Sequence, residues 1–307
     1  MEIRYLKHQE INKKRWDECV KNATNPLIYG FSWYLDLVCD DWDAMVVGNY
    51  AAVLPLPWKR RYGIRYLYQP PYAQQLGLFS CIPMSASLVD EVLEAIPKRF
   101  SFAEIFLNTP AFPQDNEVRA FNNYMLDLSP RYELLREGYS NNLKRNLKRG
   151  EELKLQVSAH ADLVQITNMF KANRGKDLEN RHDPNYFRLR RLFNEAIHRG
   201  MGIPYGTYNQ TNELIAGGLF LFDHHRIIFL FSGLSEQGRE TGAMPVLIDH
   251  VIKEFAGNHL VLDFEGSMQP GLARFYGSFG ATPEHYWFYR FNRLPFPLKQ
   301  LVDKVKK

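Results

Sequence analysis

HLVLDFEGSMQPGLARFYGSFGATPEHYWFYR, residues His259–Arg290, is the stretch whose reading decides the fold. Leu260–Phe264 is a short β-favouring run that ends in acidic side chains, Asp263 and Glu265. Gly266-Ser267 then turns the chain, and a helix-like piece follows that carries Phe275-Tyr276. Phe279-Gly280 stops that piece, and an aromatic strand, His285–Phe291, completes the unit. Alternation along the first strand sends Asp263 and Glu265 to one face and Phe264 to the other. Two carboxylates at a strand's end can take a proton from an amine or bind its ammonium. They serve equally well as a helix cap or a loop salt bridge. Glu284 and His285, at the start of the last strand, are further candidates for a base, since imidazole titrates near ~6.5.

Immediately upstream, Ser232–Ala243 (SGLSEQGRETGA) leads into a helix over Met244–Ala256. Leu247, Ile248, Val251, Ile252 and Phe255 form its apolar stripe, and Gly257 caps it. Small residues ahead of a helix N-terminus leave N–H groups pointing outward, where the helix dipole favours an anion such as phosphate. An ordinary strand-to-helix loop would look the same. Further upstream, Ser140–Gly150 (SNNLKRNLKRG) carries four cations and no acid. On a helix Leu143 and Leu147 share one face, while Lys144, Arg145, Lys148 and Arg149 spread over the other. That face suits a phosphate-bearing ligand or plain solvent.

Working outward, each half of the chain shows the same order of elements. The first half reads as helices over Gln9–Lys21 and Trp33–Cys39, the second with Ser32 as its cap. Strands Asp43–Val47 and Tyr50–Leu56 flank the Gly48-Asn49 turn. Strand Ile64–Gln69, helix Ser85–Pro97 and strands Phe102–Leu107 and Asn122–Leu128 follow. The second half repeats this with helices over Ser140–Gly150, Ala161–Arg174 and Pro184–Gly200. Its strands are Leu153–Val157, Ile203–Tyr208, Ile215–Phe222 and Arg226–Phe231, with the polar connector Asp177–Asp183 between them. The expectation is an α/β (α+β) protein of two duplicated domains, 1–130 and 131–307, with mixed, mostly antiparallel sheets flanked by helices. A meander followed by strand–helix–strand argues against a doubly wound parallel sheet. In the first half Gln74-Gln75-Leu76-Gly77, before the Ser85 helix, is either a ligand loop or a structural turn.

The order strand, acid, turn, Phe-Tyr helix, Phe-Gly, strand resembles the C-terminal end of GNAT-fold acyltransferases. Phe31–Phe79 is similar to the N-terminal half of the FemAB-like branch, in which two such folds stand in tandem. The resemblance implies transfer of an acyl group to an amine, with acetyl-CoA or another acyl-CoA as cosubstrate. In that family a Tyr at the position of Tyr276 often protonates the departing thiolate, and Phe275 to Gly280 matches the family's spacing. The resemblance also assigns the donor's pyrophosphate to the loop before the helix, here Arg239, Thr241, Gly242 and Ala243, with Ser232 at the loop's start. Met244 departs from the Gly or Ala usual at the loop's last position. Fem-type members use aminoacyl-tRNA on cell-wall precursors, so a phosphate-bearing small molecule, a cell-wall precursor or tRNA are the partners implied. A long helical arm found in many tRNA-using members has no room between Ser158 and Gly202. A binding protein that kept the fold without the chemistry is the third reading.

Composition narrows the classes. The chain has 307 residues, 45% hydrophobic, enough for two real cores. A net charge of +4 is too mild to mark a nucleic-acid binder by itself. Cys19, Cys39 and Cys81 are an odd, widely spaced set with no Cys-x-x-Cys pair, which argues against a disulfide framework. No metal-ligand spacing occurs, and His224-His225 are adjacent in a turn. The charged N-terminus lacks a signal-peptide core and no run reaches ~18 apolar residues, so a cytoplasmic protein with no transmembrane segment is expected.

Overall fold

Turn chemistry and capping place most elements where the sequence puts them. A computed structural model describes residues 1–109, 117–173, 184–223, 225–266 and 268–305. The connector Asp177–Asp183, His224 and Ser267 lie outside the described residues. By contacts the chain divides into two units, residues 1–121 with 285–307, and residues 122–284.

The first unit begins with β1 (Ile3–Leu6), α1 (Lys13–Asn22), α2 (Ser32–Val38) and β2 (Asp41–Val47). It continues with β3 (Ala52–Arg61), β4 (Ile64–Tyr68), β5 (Phe79–Ser80), α3 (Ala86–Glu94) and β6 (Phe100–Leu107). Asn12 caps α1 by accepting from the Arg15 N–H at 3.1 Å, and Ser85 caps α3 by accepting from Leu88 at 3.1 Å. Ser32 is not a cap. Its N–H and hydroxyl both donate to Asp17, at 2.7 and 2.8 Å, and Phe31 holds the cap position.

The second unit takes most of β7 (Glu117–Asp127), then α4 (Tyr132–Glu137), α5 (Asn141–Glu152), β8 (Gln156–Ala159), α6 (Leu163–Asn173) and α7 (Pro184–His198). It goes on through β9 (Gly202–Tyr208), β10 (Leu214–Phe222), β11 (Arg226–Leu234), α8 (Glu236–Thr241), α9 (Ala243–Phe255), β12 (Val261–Gly266) and α10 (Pro270–Gly277). Most of β13 (Thr282–Asn292) and all of α11 (Leu298–Val305) return to the first unit.

The strand order is β1-β2-β3-β4-β6-β13 in the first unit and β8-β9-β10-β11-β12-β7 in the second. Each is an antiparallel meander, then a parallel neighbour (β4 with β6, β11 with β12), then an antiparallel strand. The duplication expected from element order is therefore present in topology, with one feature that chain order hides. β7 follows the first half in sequence but pairs with β12, Asp127 opposite Val261. β13 follows the second half but pairs with β6, Trp287 opposite Leu107. Each half of the chain thus supplies the other unit's final strand. The first unit packs Leu54, Leu67, Val92, Ile105 and Tyr289 in its core; the second packs Leu143, Leu147, Phe220, Leu247 and Leu262.

Candidate active site

The site of the second unit arises where two parallel strands separate. β11 and β12 pair only as Arg226 with Val261, Ile227 with Leu262 and Ile228 with Asp263. Beyond that point β11 runs on to Leu234 and β12 to Gly266 without pairing to each other. At the parting, β11 carries a bulge. Leu219 faces Phe231 and Phe220 faces Phe229, so Leu230 is an extra residue. A bulge bends its strand and re-aims its backbone groups, which helps to turn β11 away.

A cavity of about 630 Å³ fills the space, lined by Phe229, Ser232 and Leu234 of β11 and closed by the helices around it. α8 and α9 supply Gly238, Arg239, Gly242, Met244 and Pro245, and α5 supplies Asn146. α10 and its approach supply Gln269, Leu272, Phe275 and Tyr276. Four of the expected residues, Ser232, Arg239, Gly242 and Tyr276, are brought together here.

Tyr276 is buried, with its ring stacked on Phe264 at 4.9 Å and 26°. Phe264 stacks on Phe279 as well, at 5.8 Å. The strand's inward-facing ring thus fixes both aromatic positions of the Phe-Tyr-x-x-Phe-Gly pattern, and the packing leaves the Tyr276 side chain at the cavity wall.

The other expected residues sit elsewhere. Asp263 is fully buried, and its Oδ2 accepts from Arg226 at 2.6 Å while Oδ1 accepts from the Glu265 N–H at 2.8 Å. Arg226 and Asp263 lie in the three-residue paired segment, so their ion pair clips β11 to β12 just before the strands part. Glu265 is half-buried with φ +59°, a left-handed conformation that the Asp263 carboxylate holds through that hydrogen bond. This kink interrupts the alternation that would put both carboxylates on one face. Glu265 and Asp263 do not line the cavity.

The loop Ser232–Ala243 is not all loop. Ser235 caps α8 by accepting from Gly238 at 3.0 Å, and Thr241 is turned back onto the Gln237 carbonyl at 2.8 Å. Gly242, at φ +74°, both ends α8 and starts α9, a conformation only glycine adopts without strain. Ala243 is buried and its carbonyl accepts from Thr207. The first turn of α9 presents the N–H groups of Ala243 and Met244, but Pro245 has none to give. A phosphate at this helix start would meet fewer donors than the sequence pattern implies. Arg239 adds a cation and Glu240 an opposing charge at the same wall.

α5 forms as expected, capped by Ser140, with Leu143 and Leu147 buried. Its cations stay outside the cavity: Lys144 donates to the Glu137 carbonyl at 3.1 Å and Arg145 to Asn142 at 3.2 Å, while Lys148 and Arg149 are exposed. The α5 residue that reaches the cavity is Asn146, which sequence reading passed over. Gln269, Leu272 and Phe170 of α6 were passed over too. Pro245 was legible, because a proline three residues after the turn glycine removes a donor from any helix start.

No family model matches the sequence, and no curated protein matches it. Solved structures do. FemX is 12% identical with a TM-score of 0.71, covering 98% of this chain and 100% of that one. A tandem GNAT protein from the clavulanic acid biosynthesis pathway is 12% identical with a TM-score of 0.54, covering 96% and 99%. L-PGS from Bacillus licheniformis is 9% identical with a TM-score of 0.55, covering 95% and 94%. The chain has a tandem GNAT-like fold, shared with FemX and the tandem GNAT protein.

Proposed function

We propose that the chain is an N-acyltransferase that moves an acyl group from an acyl-CoA-type donor to an amine. The observation that carries this reading is the parting of β11 from β12 over a cavity walled by Tyr276 and Ser232. A strand edge freed in this way offers regularly spaced N–H and C=O groups to an amide-containing chain such as pantetheine. The acyl carbonyl would lie near the bulge at Leu230, where N–H groups of Phe229–Ser232 can polarise it. The amine nitrogen then attacks the carbonyl carbon, the C–N bond forms and the C–S bond breaks. The sulfur leaves with the proton of the Tyr276 hydroxyl, and the ammonium formed gives its proton to a base. Asp263, both of whose oxygens accept from the protein, is poorly suited to that role, and neither it nor Glu265 lines the cavity. Arg239 and the N–H groups of Ala243 and Met244 would meet the donor's phosphates.

One observation favours a second donor. Pro245 and Glu240 weaken the phosphate cradle, which suits a Fem-type aminoacyl ester, whose leaving group is a ribose hydroxyl rather than a thiolate. The acceptor in either case is an amine, on a cell-wall precursor if the likeness to FemX extends that far. Thermal unfolding with acetyl-CoA, free CoA and an aminoacyl-RNA hairpin separates the readings. A ligand at a hundredfold excess over its Kd stabilises the native state by about 2.7 kcal/mol. Stabilisation by CoA species supports the first donor and by the RNA ester the second. No stabilisation by either removes the transferase reading in favour of a non-catalytic protein.

A further inference from the structure

The sheet of the first unit has two faces of different character. Leu67, Ala103, Ile105 and Tyr289 point into the core. The alternate residues Tyr66, Tyr68, Phe102, Phe106 and Phe288 point the other way and line a second cavity, of about 540 Å³. Leu294, ahead of α11, and Val302 of α11 line it as well, as do Arg61 and Tyr62 at the β3–β4 turn.

Exposed apolar side chains stand on the elements that line this cavity: Tyr62 at the β3–β4 turn, Leu298 and Leu301 on α11, and Phe296 just before it. Tyr62 is 88% exposed, Phe296 78%, Leu301 55% and Leu298 42%. Single exposed apolar residues are ordinary, but a group of them beside an apolar cavity is a surface that meets something. Helical spacing sets Leu298 and Leu301 on the same stripe as Val302, with Lys299 and Lys304 on its two flanks.

The charge around the surface has one sign. Alternation puts Lys59, opposite Tyr66, and Arg61, opposite Ile64, on the cavity's side of the hairpin, and Arg61 lines the cavity. The neighbouring acids are engaged: Glu104 and Asp303 face Arg290 at 3.8 and 2.8 Å, and Asp40 pairs with Lys59 at 3.0 Å. Apolar tips flanked by cations match the interface of a bilayer with anionic headgroups. A second copy of the chain fits poorly, because a two-fold contact would bring the same cations against themselves.

We propose that the first unit docks on the surface of an anionic phospholipid bilayer. Tyr62, Phe296, Leu298 and Leu301 enter the headgroup boundary, and Arg61, Lys299 and Lys304 meet phosphates. Among the described residues no helix is long and apolar enough to cross a membrane, so this association is peripheral. It stands apart from the transfer chemistry assigned to the second unit.

Flotation of the full chain with phosphatidylcholine vesicles, with and without phosphatidylglycerol, tests the proposal. The chain floats with the anionic vesicles only, and high salt releases it. Leu298→Ser with Leu301→Ser lowers the bound fraction roughly tenfold. Arg61→Gln with Lys299→Gln lowers it about tenfold and flattens the salt dependence. These side chains are exposed, so the melting temperature of both variants stays at that of the parent. No flotation with anionic vesicles overturns the proposal, as does binding that ignores both variants. Self-association in sedimentation velocity that the leucine variant abolishes would make the surface a contact between copies, and would overturn it too.

Discussion

In the first unit β4 and β6 stay paired from Arg65 to Tyr68, and where β4 ends the chain takes its place. The Gln69 side chain accepts from the Phe106 N–H at 2.9 Å, Leu76 donates to the Phe106 carbonyl at 2.8 Å, and Asn108 donates to Leu76 at 2.6 Å. Gly77, at φ +136°, makes that approach feasible, since a Cβ there would come within 2.2 Å of the Asn108 side chain. In the second unit the parallel pair β11 and β12 has no such filling segment among the described residues, and the equivalent place is the Tyr276 cavity. One topology built twice therefore gives one strand edge satisfied by its own chain and one that opens on a cavity. Gln74–Gly77, which could have been a ligand loop, is the plug of the first unit.

The largest expected effect concerns the second unit alone. Tyr276→Phe keeps the stacked ring but removes the proton donor, so kcat falls by ~10²–10⁴ with little change in melting temperature. Full turnover with a lowered melting temperature would make Tyr276 a packing residue, and the contrast between units would lose its chemistry.

Next is the clip at the parting. Asp263→Asn leaves Arg226 without its anion beside a buried amide, and costs about 3–5 kcal/mol in chemical denaturation. The cleft should lose its shape with it, so donor affinity falls in parallel. Unchanged stability would mean that the ion pair does not hold the strands.

The first unit answers to Gln69→Ala. That change strands the Phe106 N–H and costs about 1–3 kcal/mol of stability. Donor affinity stays constant, because the site is elsewhere. An acquired donor site in the first unit would sharpen the comparison by showing that the plug alone hides it.

Much of this was legible. Apolar periodicity marked α9 to within a residue at each end, and the Phe264–Tyr276–Phe279 stack follows from alternation in one strand and spacing in one helix. α8 was missed because six residues are too few to show a period. The exchange of β7 and β13 was missed because pairing partners far apart in sequence leave no local trace. Asn146 was missed for a related reason: on α5 it looks like any polar residue, and only the packing of α5 on α9 turns it to the cavity. The carboxylates were found but their roles were not, since the Arg226 that occupies Asp263 comes from another strand.

Smaller effects test the edges of the second unit. Changing Lys144, Arg145, Lys148 and Arg149 together to Gln should raise KM several-fold for a phosphate-bearing substrate and flatten its salt dependence. An unchanged KM and salt slope would leave that helix face merely solvated.

The smallest effect is a pH slope. Burial holds the Asp249 carboxyl above its usual range, although the Tyr132 hydroxyl donates to it at 2.9 Å. As pH rises through the ordinary carboxylate pKa of ~4, the unfolded chain releases its proton first. Stability present at lower pH is therefore lost until pH passes the raised folded value. Asp249→Asn should remove that slope from a denaturation series; a slope that persists would place its source elsewhere.

The measurement closest to the central claim is donor binding to the parent chain, to Ser232→Trp and to Gln69→Ala by isothermal titration. Acetyl-CoA and an aminoacyl-RNA hairpin would each be offered as donor. Ser232→Trp fills the cavity between β11 and β12 and should abolish binding of whichever donor the parent accepts, while Gln69→Ala should bind as the parent does. Binding that survives Ser232→Trp, or that Gln69→Ala alone removes, would contradict the account.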